Sequence, residues 1–345
     1  MTIRIGIGLF TGQLPANSKR SYAESYRETL ELVRLAEALG FDSAWVSEHH
    51  GASDGYFPSL LVMLAAFAEA TNHIRLGTGV ILTPFHDPLR LAEDIATVDQ
   101  LSGGRLTVGL GLGWREEEFR MFRVPLAERL ARTKETIEVL RLAAGGERFS
   151  FRGSVIEYED VRVTPPSAQL GGPPIVLGGY VDAALRRAGT LADGHITDAD
   201  DLEHIRHALI LMEEGARSVG KDPSKLNLVL MQNAWIADPG VDWWAQARSG
   251  IIHQSGMYEA WDHGHDTPSH DSAEPTVADE TATRAGTAGG TAEEIIRRLR
   301  PVAEEFGHHN LDLVVRLHYP GMDFDTAARA VERFAEEVIP ALKGS

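Results

Sequence analysis

The chain of 345 residues contains no cysteine. Disulfide bonds, thiolate nucleophiles, zinc–thiolate sites and iron–sulfur clusters are therefore excluded. Basic residues are also scarce, since 33 Lys and Arg stand against 50 Asp and Glu and the formal charge is −17. This balance repels phosphate backbones and anionic membrane surfaces, and no basic run offsets it. We expect neither a nucleic-acid partner nor a membrane partner.

Long hydrophobic runs are absent as well. The longest covers residues 60–68, far below the roughly 20 residues that a membrane span requires. The first ten residues carry a single charge, at Arg4, and their pattern is typical of a strand rather than a signal peptide. These features predict a soluble cytoplasmic protein.

Short apolar segments alternate with amphipathic helical segments along most of the chain, which indicates parallel βαβ units. The predicted strands are Ile3–Phe10, Phe41–Ser47, Ile74–Leu82, Leu106–Leu112, Ile175–Leu177, Gly194–Thr197, Leu226–Ile236 and Leu311–Leu317. Eight strands in order, each followed by a helix, predict a (β/α)₈ TIM barrel in which residues 1–345 form a single α/β domain. A doubly wound open sheet is the alternative.

Helix ends are marked by capping residues. Ser21 and Asp87 are predicted N-caps, and Gly40 and Gly103 follow predicted helix C-termini. The last helix is predicted over Asp325–Leu342. Residues 149–163 alternate apolar and polar side chains, which predicts a hairpin outside the barrel.

Residues 253–290 interrupt the alternation. The segment is polar, contains His263, His265 and His270, and ends in Gly289–Gly290. Stretches of this length are typical of functional lids or disordered loops. We expect an insertion or lid here, before the helix that precedes the eighth strand.

Glu48, His49 and His50 follow the second strand. The active site of a TIM barrel lies at the C-terminal ends of its strands, so these side chains are candidates for proton transfer or for holding a divalent metal. A purely structural role for the two histidines is a second interpretation. A mononuclear metal hydrolase that also uses His195 and His318 is a third.

Glycines mark the ends of the next strands. Gly79 lies in the third strand, and Gly109, Gly111 and Gly113 alternate through the fourth. Glycine in a strand indicates a bulge or a close approach of backbone to a ligand. The alternation predicts volume cleared inside the barrel mouth for a flat molecule, and simple close packing of the strands is the other interpretation.

A glycine pair, Gly178–Gly179, precedes the helix after the fifth strand. Backbone N–H groups at such a helix N-terminus can hold a phosphate. Together with the glycines of the third and fourth strands, the pair indicates a phosphate-bearing ligand.

Several segments resemble the bacterial luciferase-like monooxygenases. They are Gly40–Gly51 (GFDSAWVSEHHG), Ile74–Trp114, Pro173–Ile196 and Tyr319–Leu342. The resemblance implies a (β/α)₈ barrel with reduced FMN in its mouth and a non-proline cis peptide at Gly79–Val80. It implies that His49 supports the oxygen chemistry, with Glu48 or His50 fixing its tautomer. The cofactor-binding residues that it implies are Thr78, Gly79, Val80, Gly111, Gly113, Trp114, Gly178, Gly179, Tyr180 and Val181.

The sequence departs from the luciferase pattern in the fourth strand. Gly111 and Leu112 stand where luciferase alpha chains have a reactive Cys and a phosphate-binding Arg. The resemblance then implies that the backbone of 178–181 holds the flavin phosphate, aided by Tyr180 or Arg115. A related branch uses a deazaflavin (coenzyme F-420) and has Asp-His after the second strand, so Glu48-His49-His50 favours the oxygen-using branch.

The function implied is a monooxygenase that uses reduced FMN and O₂ on a small, largely apolar substrate. A separate flavin reductase is expected because no nicotinamide-binding glycine motif is present. Family members commonly form homodimers, and the apolar stretches 60–67 and 91–98 fit such an interface. A deazaflavin-dependent oxidoreductase and a non-catalytic flavin-binding paralogue are the alternatives, and no bound metal is expected.

Overall fold

The computed structural model describes residues 3–262, 264 and 277–344. Its strands are β1 (Arg4–Phe10), β2 (Ser43–Val46), β3 (Arg75–Thr78), β4 (Ile81–Leu82), β5 (Leu106–Gly111), β6 (Arg148–Arg152), β7 (Glu157–Arg162), β8 (Ile175–Gly178), β9 (Gly194–Thr197), β10 (Asn227–Ile236), β11 (Ala288–Gly290) and β12 (Leu311–Arg316). Its helices are α1 (Tyr22–Ala38), α2 (Leu60–Ala70), α3 (Pro88–Ser102), α4 (Glu116–Phe122), α5 (Arg129–Ala143), α6 (Asp182–Leu191), α7 (Leu202–Ser218), α8 (Trp243–Asp262), α9 (Val277–Gly286), α10 (Ala292–Phe306), α11 (Phe324–Glu337) and α12 (Ile339–Lys343).

Eight strands form a closed ring of parallel neighbours, in the order β1, β2, β3, β5, β8, β9, β10, β12 and back to β1. The closing pair is β12 with β1, in which Gly6 lies opposite Val314. The ring confirms the predicted TIM barrel and excludes the open doubly wound sheet. The predicted hairpin is also present, since β6 and β7 pair antiparallel to each other in a separate sheet.

The barrel interior is filled by side chains in layers. Near the N-terminal ends of the strands, Asp312 accepts a hydrogen bond from Ser43 at 2.7 Å and lies 3.5 Å from the guanidinium of Arg4. Above them, Trp45 packs with Val176, Ile196, Val229 and Val314. The interior below the mouth is therefore a packed core, which leaves the C-terminal ends of the strands as the place for a ligand.

Local signals explain where the helices begin and end. Ser21 and Glu24 form a capping box at α1, and the Asp87 carboxylate accepts hydrogen bonds from the N–H groups of Leu89 and Arg90 at α3. Gly103 ends α3 in the left-handed conformation, at φ 64°. These caps agree with the sequence prediction.

The predicted C-terminal helix over Asp325–Leu342 is wrong in one respect, because it is two helices. The chain breaks at Val338 between α11 and α12, and Pro340 stands in the first turn of α12. Proline has no N–H to donate into a preceding helical turn, so a helix restarts there instead of continuing.

The segment 253–290 contains regular structure at both of its described ends. Residues 253–262 are the last part of α8, and residues 277–290 form α9, a short connection and β11. Apolar residues at helical spacing, among them Ile251, Met257 and Trp261, bury one face of α8. His263, His265 and His270 lie outside the described residues.

Candidate active site

The end of β2 brings Glu48, His49 and His50 together below the surface. Nε2 of His50 lies 2.6 Å from Oε1 of Glu48, and Nε2 of His86 lies 3.3 Å from the same oxygen. Burial raises the pKa of the Glu48 carboxyl, but hydrogen bonds from His50 and His86 outweigh this, so the pKa is lowered overall. Glu48 is therefore a buried carboxylate that orients two imidazoles.

His49 is held by a different carboxylate. Its Nδ1 lies 3.0 Å from Oε1 of Glu118, in the first turn of α4, and the same oxygen accepts a hydrogen bond from the backbone N–H of His50 at 2.8 Å. A carboxylate oxygen can only accept, so Nδ1 carries the proton in this contact. Nε2 of His49 forms no hydrogen bond with any described residue.

Aromatic side chains enclose the His49 ring. The centroid of the imidazole lies 4.6 Å from that of Trp261, 4.9 Å from that of Tyr56, 5.4 Å from that of Tyr258 and 6.4 Å from that of Trp114. The hydroxyl groups of Tyr56 and Tyr258 lie 3.1 Å apart. Such a cover excludes water and lowers the local dielectric around His49.

Arg115 contributes to this cluster and not to a phosphate site. Its guanidinium donates to the carbonyl oxygen of His50 at 3.0 Å and stacks 4.7 Å from the centroid of the Trp261 ring. The expectation that Arg115 assists the phosphate-binding loop at 178–181 is therefore not supported. The reason is that the turn after β5 directs this side chain toward the end of β2.

The end of β3 has the backbone geometry that the resemblance implies. The Gly79–Val80 peptide is cis, and a second non-proline cis peptide joins Gly8 and Leu9 in β1. The Thr78 hydroxyl donates to the carbonyl oxygen of Gly109 at 2.9 Å and accepts from its N–H at 2.8 Å. The side chain of Thr78, which is fully buried, thus takes the place of a strand-to-strand hydrogen-bond pair and is not free to contact a ligand.

The glycines of β5 do not clear empty volume, which corrects the sequence prediction. A Cβ on Gly109 would lie 2.0 Å from the carbonyl oxygen of Thr78, and one on Gly111 would lie 2.5 Å from a methyl carbon of Val80. The space is filled by the irregular segment between β3 and β4. Close packing, the other interpretation, is the correct one for these two positions, because the neighbouring backbone bulges against β5.

Packing is less tight around Gly178, at the end of β8. A Cβ on Gly178 would meet nothing closer than 3.8 Å, where Val80 lies. Leu9, Val80 and Met231 are partly buried apolar side chains that pack on the interior core from the mouth side. A flat ring system fits such an apolar floor, so the residues present are compatible with a flavin-type cofactor.

The predicted phosphate loop opens α6. Gly179 has φ 145°, and Val181, at the N-cap position, offers no side-chain cap. The Tyr180 hydroxyl donates to the carboxylate of Asp198 at 2.9 Å. The backbone N–H groups of the first turn are the donors that a phosphate uses at a helix N-terminus.

The two remaining predicted cofactor residues follow β5. Gly113 adopts φ 69°, and its carbonyl oxygen accepts a hydrogen bond from Arg129 at 3.1 Å. Trp114 is partly exposed and reaches the edge of the His49 cluster. Both therefore lie between α4 and the barrel mouth.

The metal-hydrolase alternative finds no support in the part of the chain that the structure describes. That part contains no group of three or more His, Asp or Glu side chains arranged to hold a metal ion. Nδ1 of His195 is hydrogen-bonded to the carbonyl oxygen of Leu177 at 2.8 Å, and burial lowers the pKa of His195 to about 4. His195 is thus a neutral core histidine.

The sequence prediction missed four residues that hold His49 or His50. Glu118 and Arg115 belong to the WREEEF stretch, in which three adjacent glutamates gave no indication of which one turns inward. Tyr258 and Trp261 lie in the segment expected to be an insertion. Aromatic residues within an otherwise polar stretch were the available signal.

No helix among the described residues has both the length and the apolar composition that crossing a membrane requires.

Comparison with known proteins places these features in a family. A family model described as luciferase-like monooxygenase matches residues 3–332. The chain is 28% identical to 4-hydroxyprotoasukamycin monooxygenase of Streptomyces nodosus subsp. asukaensis, across 99% of this chain and 93% of that protein. It is 25% identical to the oxygenase component of the flavin-dependent trigonelline monooxygenase of Acinetobacter baylyi, across 98% and 95%.

A relative of the deazaflavin branch matches as well. The F420-dependent glucose-6-phosphate dehydrogenase 1 of Rhodococcus jostii is 27% identical, across 92% of this chain and 95% of that protein. Among solved structures, the monooxygenase RslO1 from Streptomyces bottropensis superposes with a TM-score of 0.80 at 26% identity, covering 98% of this chain and 99% of that one. The matches therefore include both oxygen-using and F420-dependent enzymes.

Proposed function

We propose that this chain, which belongs to the luciferase-like monooxygenase family, uses reduced FMN and O₂ to oxygenate a small organic substrate. Membership makes it a flavin-type redox or oxygenating enzyme. The observation that carries the finer proposal is His49, enclosed by aromatic rings and held at Nδ1 by the Glu118 carboxylate. When bound, the reduced flavin supplies the electrons that activate oxygen.

His49 has the geometry of a proton carrier. The Glu118 carboxylate keeps the proton on Nδ1, which leaves Nε2 to accept or deliver a proton at the reacting oxygen. Glu48 holds His50 and His86 on the neighbouring side and fixes the loop that carries His49. Trp261, Tyr56 and Tyr258 cover the imidazole and limit the access of water to it.

The cofactor would lie on the apolar floor of Leu9, Val80 and Met231, with its phosphate at the amides of 178–181. A separate reductase is proposed because no nicotinamide-binding motif is present in the sequence. A relative named as an oxygenase component supports a two-component arrangement. The aromatic cover of His49 favours a substrate with substantial apolar surface.

A deazaflavin-dependent oxidoreductase is the second candidate, because the sequence of this chain aligns with nearly the whole length of the F420-dependent Rhodococcus relative. The two candidates differ in the cofactor that binds and in the reaction with oxygen. For the first candidate the site would hold a reduced flavin, which would supply electrons to O₂, and for the second it would hold a reduced deazaflavin, which would supply a hydride without oxygen. A flavin-binding paralogue without turnover would bind FMN and produce nothing.

Reconstitution separates these candidates. The purified chain is titrated anaerobically with reduced FMN, reduced FAD and the reduced deazaflavin, and air is then admitted. We expect the tightest binding for FMN and an oxygen reaction that the protein accelerates. Preferential deazaflavin binding without an oxygen reaction would identify the second candidate, and FMN binding with no acceleration would identify the paralogue.

A site variant tests where the cofactor lies. Gly178→Leu places a side chain beside Val80 of the proposed cofactor floor, so we expect flavin affinity to fall at least tenfold while the fold is retained. Gly145→Ala is the matched control, since a Cβ there meets no atom within 4 Å. Unchanged flavin affinity in Gly178→Leu would contradict the proposed position.

We further propose that the predicted lid segment, 253–290, covers the site through its described residues 253–262, and that the chain forms homodimers. Contacts of Tyr258 and Trp261 with His49 support the cover.

The proposed dimer interface on α2 offers less apolar surface than the sequence suggested. Leu64 and Phe67 pack in the core, whereas Val62 is 70% exposed. Light scattering of wild type and Val62→Glu tests the dimer, and a monomeric wild type would exclude it.

A further inference from the structure

Arg316 is a buried cation at the mouth of the barrel. It is the last residue of β12 and pairs in register with Asn233 of β10. Val314, two residues earlier, packs in the barrel interior. Because side chains alternate along a strand, Arg316 points to the same inner side, at the level of the mouth.

No anion compensates this charge within the described part of the chain. Arg316 is 7% exposed, and it forms no hydrogen bond or ion pair with any described residue. A buried guanidinium without a partner is costly, so natural proteins keep such a group where a ligand completes it. Two carboxylates act on the tyrosines that Arg316 also affects, and neither pairs with Arg316: Asp54 accepts hydrogen bonds from Gln13 at 2.7 Å and His253 at 2.9 Å, and Asp198 accepts one from Tyr180 at 2.9 Å.

The surroundings of Arg316 belong to the candidate active site. Burial raises the pKa of Tyr56 and of Tyr258, and the positive charge of Arg316 partly offsets both increases. Arg316 thus acts on the two tyrosines whose rings pack on His49. The unpaired cation therefore lies within electrostatic range of the aromatic cover of His49.

The position of β12 in the barrel and the neighbouring apolar clusters indicate which ligand Arg316 would contact. β12 lies four strands from β5 in either direction around the eight-stranded ring, so Arg316 stands across the mouth from Gly111, and Gly178 of β8 lies three strands from Arg316. The proposed cofactor floor is formed by Leu9 of β1, Met231 of β10 and Val80, which follows β3, and the phosphate loop follows β8. Tyr56 and Tyr258, on which the charge of Arg316 acts, belong to an apolar cluster separate from this floor, and that cluster is left for the substrate.

We propose that Arg316 binds an anionic group of the substrate, a carboxylate or a sulfonate, at the β12 side of the barrel mouth. The proposal rests on the proposed function and narrows its substrate to an organic acid whose apolar part packs against Tyr56 and Tyr258. A planar guanidinium binds a carboxylate through two parallel hydrogen bonds. Because the chain carries a formal charge of −17, a buried cation without an ion-pair partner among the described residues favours an anionic ligand at this place over the rest of the surface.

Calorimetric titration tests the proposal without turnover. The probes are benzoate, cyclohexanecarboxylate and decanoate, each compared with its neutral primary amide. For at least one pair, wild type should bind the acid at least tenfold more tightly than the amide, as expected for a charge-assisted hydrogen bond. Arg316→Gln should lose this preference, Arg316→Lys should keep part of it, and Arg152→Gln, on the exposed hairpin, should match wild type.

Two outcomes overturn the proposal. One is wild-type protein that binds no acid better than its amide, and the other is a preference that survives in Arg316→Gln. Circular dichroism checks the fold of each variant. If Arg316→Gln does not fold, Arg316→Lys replaces it as the test variant, and a preference equal to that of wild type would then overturn the proposal. The affinity for reduced FMN, measured on the same samples, distinguishes a substrate-binding role of Arg316 from a cofactor-binding role. If Arg316→Gln no longer binds reduced FMN but keeps the preference for the acid, Arg316 is a cofactor ligand. Failure of wild type to bind any flavin would remove the proposed function while leaving the acid preference measurable.

Discussion

Oε1 of Glu118 lies 3.0 Å from Nδ1 of His49, although the two residues are 69 positions apart in the chain and both are buried. The contact joins the loop after β2 to the first turn of α4. It fixes the tautomer of an imidazole that aromatic rings shield from water, and it makes Glu118 a positioning residue for the proposed chemistry.

Replacing this carboxylate should reduce turnover without weakening binding. Glu118→Gln retains an oxygen that accepts from His49 and His50 but removes the negative charge, so we expect kcat to fall about tenfold. The substrate KM and the flavin Kd should stay within a factor of two. The exposed neighbour variant Glu116→Gln should behave as wild type, and an unchanged kcat in Glu118→Gln would exclude the positioning role.

Removing the imidazole itself should have a larger effect. His49→Ala should lower the rate of product formation about 10²- to 10⁴-fold, the usual contribution of a general acid or base. Reduced-flavin affinity should remain close to that of wild type, because His49 does not lie on the proposed cofactor floor. His73→Ala, at an exposed position, is the control. Normal oxygenation by His49→Ala would remove the proposed role of this residue.

The packing of Gly111 against Val80 predicts a coupled pair. Gly111→Ala places a methyl 2.5 Å from Val80, so the free energy of unfolding should fall by about 1 to 3 kcal/mol, as for other overpacked sites. In Val80→Ala/Gly111→Ala the loss should be smaller than the sum of the single losses, by about 1 kcal/mol. Urea unfolding measures all three variants, and Gly145→Ala should change stability by less than about 0.5 kcal/mol. Additive losses would show that Gly111 does not accommodate Val80.

Acid should destabilise the protein through His195. Burial lowers the pKa of His195 in the folded state to about 4, below the 6.5 of a free histidine. Between these values the unfolded chain binds a proton that the folded chain does not. The contribution of neutral His195 to the free energy of unfolding is therefore fully present above pH 6.5 and is lost as the pH falls toward 4.

A matched pair of variants measures that contribution. From pH 7 to pH 4.5, wild type should lose about 2 to 3 kcal/mol more unfolding free energy than His195→Gln. His73→Gln, at an exposed position, should lose as much as wild type. Equal pH dependence in wild type and His195→Gln would show that another group governs the acid loss.

Local patterns in the sequence determined the secondary structure. The eight barrel strands, the caps at Ser21 and Asp87 and the hairpin at 149–163 were predictable because each depends on residues only a few positions apart. The candidate loop at Glu48, His49 and His50 was predictable for a related reason, since parallel strands of a barrel end at one face. The break at Val338 was missed although Pro340 marked it.

Only the tertiary structure decided what these residues contact. Ring closure brings Glu118 to His49 and sets Arg316 across the mouth from β5. The same closure fills the space beside Gly109 and Gly111 with the segment at Thr78–Val80, which the glycine pattern alone could not distinguish from an empty slot. Such contacts join parts of the chain that are distant in sequence, so the folded arrangement of backbones determines them rather than any local preference.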